Sequence, residues 1–132
     1  VIVDSSAVVA IALNEPLARR LVGALASSDE VGMAAPTWLE TSMVLAARGH
    51  PDPARFLADF GREFRIESIP FTAEMGREAL AAWHRFGRGN HPARLNYGDC
   101  ISYATAQHSG QSLLFVGDDF SQTDITPALV TT

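Results

Sequence analysis

The sequence predicts an α/β fold: one domain with a mostly parallel sheet flanked by helices. Three observations carry that expectation. Short apolar runs alternate with longer stretches of helical periodicity. The connections between those runs are long enough for crossovers, which favour parallel pairing. The chain has 132 residues, 47% of them hydrophobic and 19% charged, enough for one core and too few for two ordinary domains. Residues 1–132 are therefore expected to form a single unit.

Val1-Ile2-Val3 reads as a short buried strand, and Ser5–Leu13 as the helix that follows it. After the Asn14-Glu15-Pro16 break, Pro16–Leu25 is expected to be a second helix, because proline fits best at a helix start. Val31–Ala34 is the next strand. Pro36 opens a helix to about Ala47, stopped by Gly49 and Pro51. Pro53–Phe60 presents Ala54, Leu57, Ala58 and Phe60 on one helical face, and Ile66–Ile69 is a strand ended by Pro70. Met75, Ala79, Ala82, Trp83 and Phe86 recur at helical spacing in Thr72–Phe86, followed by a Gly-, Asn-, Pro- and Arg-containing loop over Gly87–Arg94. Tyr97–Gln107 reads as a helix, Ser112–Val116 as a strand and Ala128–Val130 as a last short strand. Repeats, linkers and low-complexity tracts are absent.

No apolar run approaches the roughly 20 residues of a membrane span, and no charged segment precedes an apolar one as in a secretory leader. The expected setting is soluble and cytoplasmic, with no membrane partner. The single cysteine, Cys100, excludes an internal disulfide and reads as a small core residue. All ten basic residues are arginine, so any mechanism that needs a catalytic or phosphate-clamping lysine is excluded. A net charge of −5 argues against a surface that coats nucleic acid, although a local basic patch remains compatible with a nuclease. Of the four histidines, no two have the i, i+4 spacing of a zinc pair, and they read as surface or loop residues.

The chemistry lies in lone carboxylates set in apolar segments. Asp4 is the only charge in Val1–Asn14, and Glu40 and Arg48 are the only charges between Val31 and Gly49. Asp99 is the only acid in Leu95–Gly117, which opens directly onto Asp118 and Asp119. None of Asp4, Glu40 and Asp99 has a basic residue at i±3 or i±4, and a carboxylate beside core needs a partner. Asp4 and Asp118/Asp119 follow strands, and Glu40 and Asp99 sit early in helices. The topology can therefore gather them at the carboxyl edge of the sheet, where ligands of α/β folds bind. Clustered like charges call for a divalent cation. Capping and turn chemistry is the competing explanation. Asp4 fits an N-cap, Thr37-Trp38-Leu39-Glu40 fits a capping box, Asp99 fits the third position of a helix, and Gly117-Asp118-Asp119 fits a turn.

Four segments together resemble the PIN-domain pattern, and in particular the VapC-type toxins of bacterial toxin–antitoxin pairs. They are Val1-Ile2-Val3-Asp4-Ser5-Ser6-Ala7, the helix bearing Glu40, Leu95-Asn96-Tyr97-Gly98-Asp99-Cys100, and Leu113-Leu114-Phe115-Val116-Gly117-Asp118-Asp119-Phe120. The resemblance implies a PIN-like sheet and an Mg²⁺- or Mn²⁺-dependent endoribonuclease, usually a homodimer, held inactive by a cognate antitoxin. It carries catalytic roles to Asp4, Glu40 and Asp99 and points to Asp119 ahead of Asp118 as the fourth acid, with Asp124 more distant. Asp4, Asp99 and Asp119 or Asp118 would hold metal. Ser6 matches the small hydroxyl that accompanies the first Asp.

Arg85, Arg88 and Arg94, with His91, Trp83 and Phe86 nearby, offer a phosphate-binding and stacking surface for single-stranded RNA. For the two aromatics, a place in the core is the stronger expectation. Leu17, Leu21, Phe56 and Phe60 are expected to leave an apolar surface that a second copy or the antitoxin covers. Two alternatives remain. A haloacid-dehalogenase-like phosphatase also begins with a strand ending in Asp, but the chain has Ser6, Gln122 and Thr123 where that family needs acids. A non-catalytic PIN-like RNA- or protein-binding module is the other, opposed by the presence of every matched acid.

Overall fold

The computed structural model describes residues 1–129. Its sheet has four strands, β1 (Ile2–Val3), β2 (Val31–Ala34), β3 (Ile66–Ile69) and β4 (Leu113–Leu114), in the order β3-β2-β1-β4 with every pairing parallel. The helices are α1 (Ser5–Ala12), α2 (Ala18–Ala26), α3 (Ala35–Ala47), α4 (Pro53–Glu63), α5 (Ala73–Phe86) and α6 (Tyr97–Ser109), with a 3₁₀ turn at Phe120–Gln122.

Strand alternation divides the core into two layers. Val3 and Leu114 face the cluster that includes Leu21, Leu45, Leu57 and Phe60 from α1–α4. Ile2 and Leu113 face Phe86, Leu95, Cys100 and Tyr103 on the α5–α6 side. All four residues of the central strand β2 are buried, as a parallel strand covered on both faces requires. Truncating a fully buried side chain such as Leu114 to alanine is expected to cost about 2–5 kcal/mol.

The chain runs outward through β1, β2 and β3, then returns to place β4 on the other side of β1. Strand order therefore reverses between β1 and β4, and in open α/β sheets ligands bind outside the carboxyl ends of strands at such a switch point.

Several boundaries differ from the sequence expectation. The segment Pro16-Leu17 is a turn, and α2 begins at Ala18. The helix α4 runs three residues beyond Phe60, with Arg62 in its last turn, where a cation suits the helix dipole. No strand forms at Ala128–Leu129. Instead Pro127 makes an isolated parallel bridge to Leu113, and the Ala128 N–H donates to the Leu113 carbonyl at 2.8 Å. Val130 lies outside the described residues. Leu21 and Phe60 are buried, and Leu17 and Phe56 pack against the core, so they do not form the exposed apolar surface expected of them. Of the two aromatics expected in the core, Phe86 is there and Trp83 is not.

Candidate metal-dependent active site

Asp4 follows β1 and caps α1, accepting from the Ser6 backbone N–H at 3.1 Å. At 3% exposure it is a buried carboxylate, yet both oxygens are satisfied. The Ser6 hydroxyl donates to Oδ2 at 2.6 Å and the Ser102 hydroxyl donates to Oδ1 at 2.6 Å. Ser6 Oγ also accepts from the Val116 N–H at 3.0 Å, which ties the start of α1 to the segment after β4. Ser102 escaped the sequence reading. It lies one turn beyond Asp99 on α6, and that spacing was the available signal.

Asp99 occupies the third position of α6 in a reciprocal capping box. Its own N–H donates to Asn96 Oδ1 at 2.9 Å, and its Oδ2 accepts from the Asn96 N–H at 3.1 Å. Capping and site membership coincide in this residue. Burial first, then the charges of Asp4, Asp119 and Glu40, push the Asp99 carboxyl up to about 7 against the relief given by the Asn96 N–H.

Glu40 lies in the second turn of α3, a helix whose Ala34 cap offers no side chain. The capping box expected over Thr37–Glu40 is therefore not formed; the helix starts earlier, at Ala35. Burial raises the Glu40 pKa, Ser5 opposes that with a side-chain hydrogen bond, and Asp4 adds to it. Its Oε1 is buried with no hydrogen-bond partner. Close contact with α6 is possible only because residue 98 is glycine: a Cβ there would lie 2.0 Å from Glu40 Oε2.

The fold thus sets Asp99 within reach of the charges of Asp4, Glu40 and Asp119, and Glu40 within reach of that of Asp4, near the carboxyl ends of β1 and β4. Asp118 is exposed, is not among the acids acting on Asp99, and offers its backbone carbonyl to Ser121. Asp124 is engaged elsewhere, accepting from Tyr103 and pairing with Arg85 at 3.4 Å. Arg85 also lies over the Phe86 ring at 4.6 Å, while Arg88 and Arg94 are exposed on the loop.

The donor set suits a hard divalent ion, since it offers only carboxylate and hydroxyl oxygens, with Glu40 Oε1 unpartnered and buried. Among the described residues, the trio whose ligand atoms all fall within 4.8 Å of one another is Glu74, Glu78 and His108, from α5 and the last turn of α6. No three of Asp4, Glu40, Asp99 and Asp119 meet that spacing. Magnesium keeps several waters when bound to protein, and such spacing is compatible with contacts through water.

Fold and site together define a three-layer α/β protein with a cluster of acids at its topological switch point. The model of the PIN domain matches residues 1–125. Ribonuclease VapC42 of Mycobacterium tuberculosis is 43% identical over 128 residues, covering 96% of this chain and 98% of its own length. The chain belongs to the PIN domain family, among its VapC ribonucleases. Its fold is also that of Mycobacterium tuberculosis VapC20, described as a Sarcin-Ricin loop cleaving toxin, with a TM-score of 0.77 at 20% identity over 95% of both chains. A toxin–antitoxin complex from Klebsiella pneumoniae has a TM-score of 0.69 at 17% identity, covering 98% of this chain and 95% of that one. Family membership removes the haloacid-dehalogenase alternative.

Proposed function

We propose that residues 1–132 act as one PIN domain, a cytoplasmic endoribonuclease toxin that requires Mg²⁺ or Mn²⁺, works as a homodimer and is neutralised by a cognate antitoxin protein. The observation that carries this reading is the Asp99 carboxyl, pushed up to about 7 by burial and by three acids from other parts of the chain. Such a concentration of unneutralised carboxylates is costly in a purely structural role and fits a cation-binding one. Asp4, Asp99 and Asp119 would hold the ion, with Asp119 favoured over Asp118 because it is the one that acts on Asp99. A bound divalent ion supplies charge neutralisation at the scissile phosphate and makes water easier to deprotonate.

The remaining work falls to the chain itself. Ser6 and Ser102 fix the direction of the Asp4 carboxylate: Oδ2 accepts from both the N–H and the hydroxyl of Ser6, and Oδ1, which accepts only from Ser102, keeps a lone pair for the ion. Glu40, whose carboxylate feels the charge of Asp4, would accept a proton from the attacking water. Arg88 and Arg94 on the exposed loop meet backbone phosphates. Arg85 joins them by exchanging its exposed Asp124 pair, which is worth at most about 1 kcal/mol, for a phosphate.

The deciding experiment incubates the purified protein with cellular RNA in Mg²⁺ or Mn²⁺, with and without EDTA, and sequences the new ends. Discrete new ends that need the divalent ion and vanish in Asp4→Asn are expected. Cleavage that survives both EDTA and Asp4→Asn would sink the assignment.

A further inference from the structure

Tyr103 is 5% exposed, and its ring packs in the core against that of Phe86, with centroids 5.7 Å apart. A phenylalanine would fill that place as well, so the hydroxyl has a task of its own. It donates to Asp124 Oδ1 and accepts from Gln107 Nε2 at 3.2 Å. Asp124 belongs to the segment after β4 that also carries Asp119.

That segment is tied at both ends to residues that build the rest of the site. At its start the Val116 N–H donates to Ser6 Oγ, the hydroxyl that holds Asp4. Asp119 precedes the 3₁₀ turn and makes no side-chain hydrogen bond in capping it, so its direction depends on how the backbone around it is set. From Asp118 to Ile125 that backbone is knitted together. The Ser121 hydroxyl donates to the Asp118 carbonyl at 2.6 Å, and the Thr123 N–H and hydroxyl donate to the Phe120 carbonyl at 3.0 and 2.7 Å. The Ile125 N–H donates to Thr123 Oγ1 at 3.2 Å. Phe120 and Ile125 are buried and set the depth of the segment, but apolar burial is non-directional. The bond from Tyr103 to Asp124 supplies direction.

Ser102 and Tyr103 lie three and four residues beyond Asp99 on α6, a spacing that makes both of them its neighbours on the helix surface. Ser102 reaches Asp4, and Tyr103 reaches Asp124. We infer that Tyr103 is a positioning residue for the reaction: through Asp124 it sets the direction of Asp119, so that α6 fixes both Asp4 and Asp119 relative to Asp99. The inference rests on the proposal that Asp119 is a ligand of the divalent ion. It also leaves Asp124 with a partner when Arg85 turns to a phosphate, so that RNA binding does not loosen the segment.

Mn²⁺ titration of the RNA-free protein, read from the EPR signal of the free ion, tests this with the full chain, alongside cleavage measured against Mn²⁺ concentration. Tyr103→Phe should weaken Mn²⁺ binding about 10-fold, the lower end of what supporting contacts around a metal contribute, and its cleavage should recover at high Mn²⁺. Asp124→Ala should match it. Asp124→Asn keeps an oxygen that accepts from Tyr103 and loses only the Arg85 ion pair, so it should bind as the wild type does. Tyr103→Phe/Asp119→Ala should be no weaker than Asp119→Ala alone. If Asp119→Ala is weak while Tyr103→Phe and Asp124→Ala bind like the wild type, Asp119 stays a ligand and the role of Tyr103 is overturned. Losses that multiply in the double variant overturn it too, because Tyr103 would then act by another route. Asp119→Ala that binds like the wild type overturns the ligand assignment and this inference together. Should Tyr103→Phe misfold by circular dichroism, the two Asp124 variants decide: an Asp124→Asn as weak as Asp124→Ala assigns the effect to Arg85 and overturns the role of Tyr103.

Discussion

Asp4 is buried with a hydroxyl on each oxygen, whereas Asp99 lies within reach of three other acids and only a backbone N–H relieves it. The two should therefore answer differently to neutralisation. Asparagine at 99 can still accept from the Asn96 N–H, so Asp99→Asn keeps the cap and removes the repulsion. We expect it to stabilise the metal-free protein by on the order of 1–2 kcal/mol at neutral pH, discounted for partial solvent exposure, and to abolish cleavage. The sign of the pH dependence follows from the direction of the shift. The folded carboxyl at about 7 binds its proton more tightly than the unfolded one at 3.8, so stability from this group is fully present below 3.8 and is lost as pH rises to about 7. Thermal melts in EDTA across that window should slope downward for the wild type and lose much of that slope in Asp99→Asn. Asp4→Asn should also end cleavage and weaken Mn²⁺ binding, but without the gain in stability, since its amide must face one of two hydroxyls that now donate. Melting curves that rank the two variants the other way would contradict this account.

At the scale of elements, the start of α6 carries Asp99, the acid on which the other three act. Asn96→Ala removes the acceptor for the Asp99 N–H and should cost about 1 kcal/mol in urea unfolding, while the Asp99 carboxylate keeps the backbone N–H of residue 96 as its donor. Unchanged urea unfolding would show that this cap adds nothing to stability. This part of the chain was legible in advance: Asn96-Tyr97-Gly98-Asp99 spells its own cap, and Asp4, Glu40 and Asp99 stand out as isolated charges in apolar surroundings. The helix α5 was legible from its periodic apolar pattern, and α3 from its proline start and the stop at Gly49 and Pro51. Other features depend on packing that no local pattern encodes. Ser102 reads as an unremarkable helical hydroxyl until the sheet brings it to Asp4, 98 positions away. Leu21 and Phe60 read as surplus apolar surface because the helices that cover them come from elsewhere in the chain. Pro127, just before the expected last strand, cannot donate to a ladder, and among the described residues the pairing there is a single bridge.

For the whole molecule, the opposition is between a net charge of −5 and a polyanionic substrate. RNA must be held by local cations, and the proposal above gives that role to the exposed Arg88 and Arg94. Replacing both by alanine should lower affinity and flatten the log–log salt dependence by about 1.4, at roughly 0.7 for each single-strand phosphate contact. Cleavage at saturating RNA should persist, unlike in Asp4→Asn. Arg85→Ala should have a smaller effect on the salt slope, since that guanidinium begins in an ion pair with Asp124. Filter binding over a salt series separates these outcomes, and an unchanged slope in the double variant would place the RNA on another surface.

The seat of Glu40 against Gly98 has a consequence for inheritance. An alanine at 98 would put its Cβ 2.0 Å from Glu40 Oε2, and the cheapest relief is to swing that flexible carboxylate aside and leave the helix in place. Gly98→Ala is therefore expected to fold with near-normal thermal stability and to lose turnover. Every glycine codon reaches alanine by a single base change, so one mutational step yields a disarmed protein. When the gene is expressed alone in a growing population, surviving colonies should carry changes at Gly98 alongside changes at the acids. Their full-length product should accumulate normally and still bind the cognate antitoxin. A survivor spectrum made up only of truncations and core lesions would mean that this glycine is not a single-step route to a harmless gene.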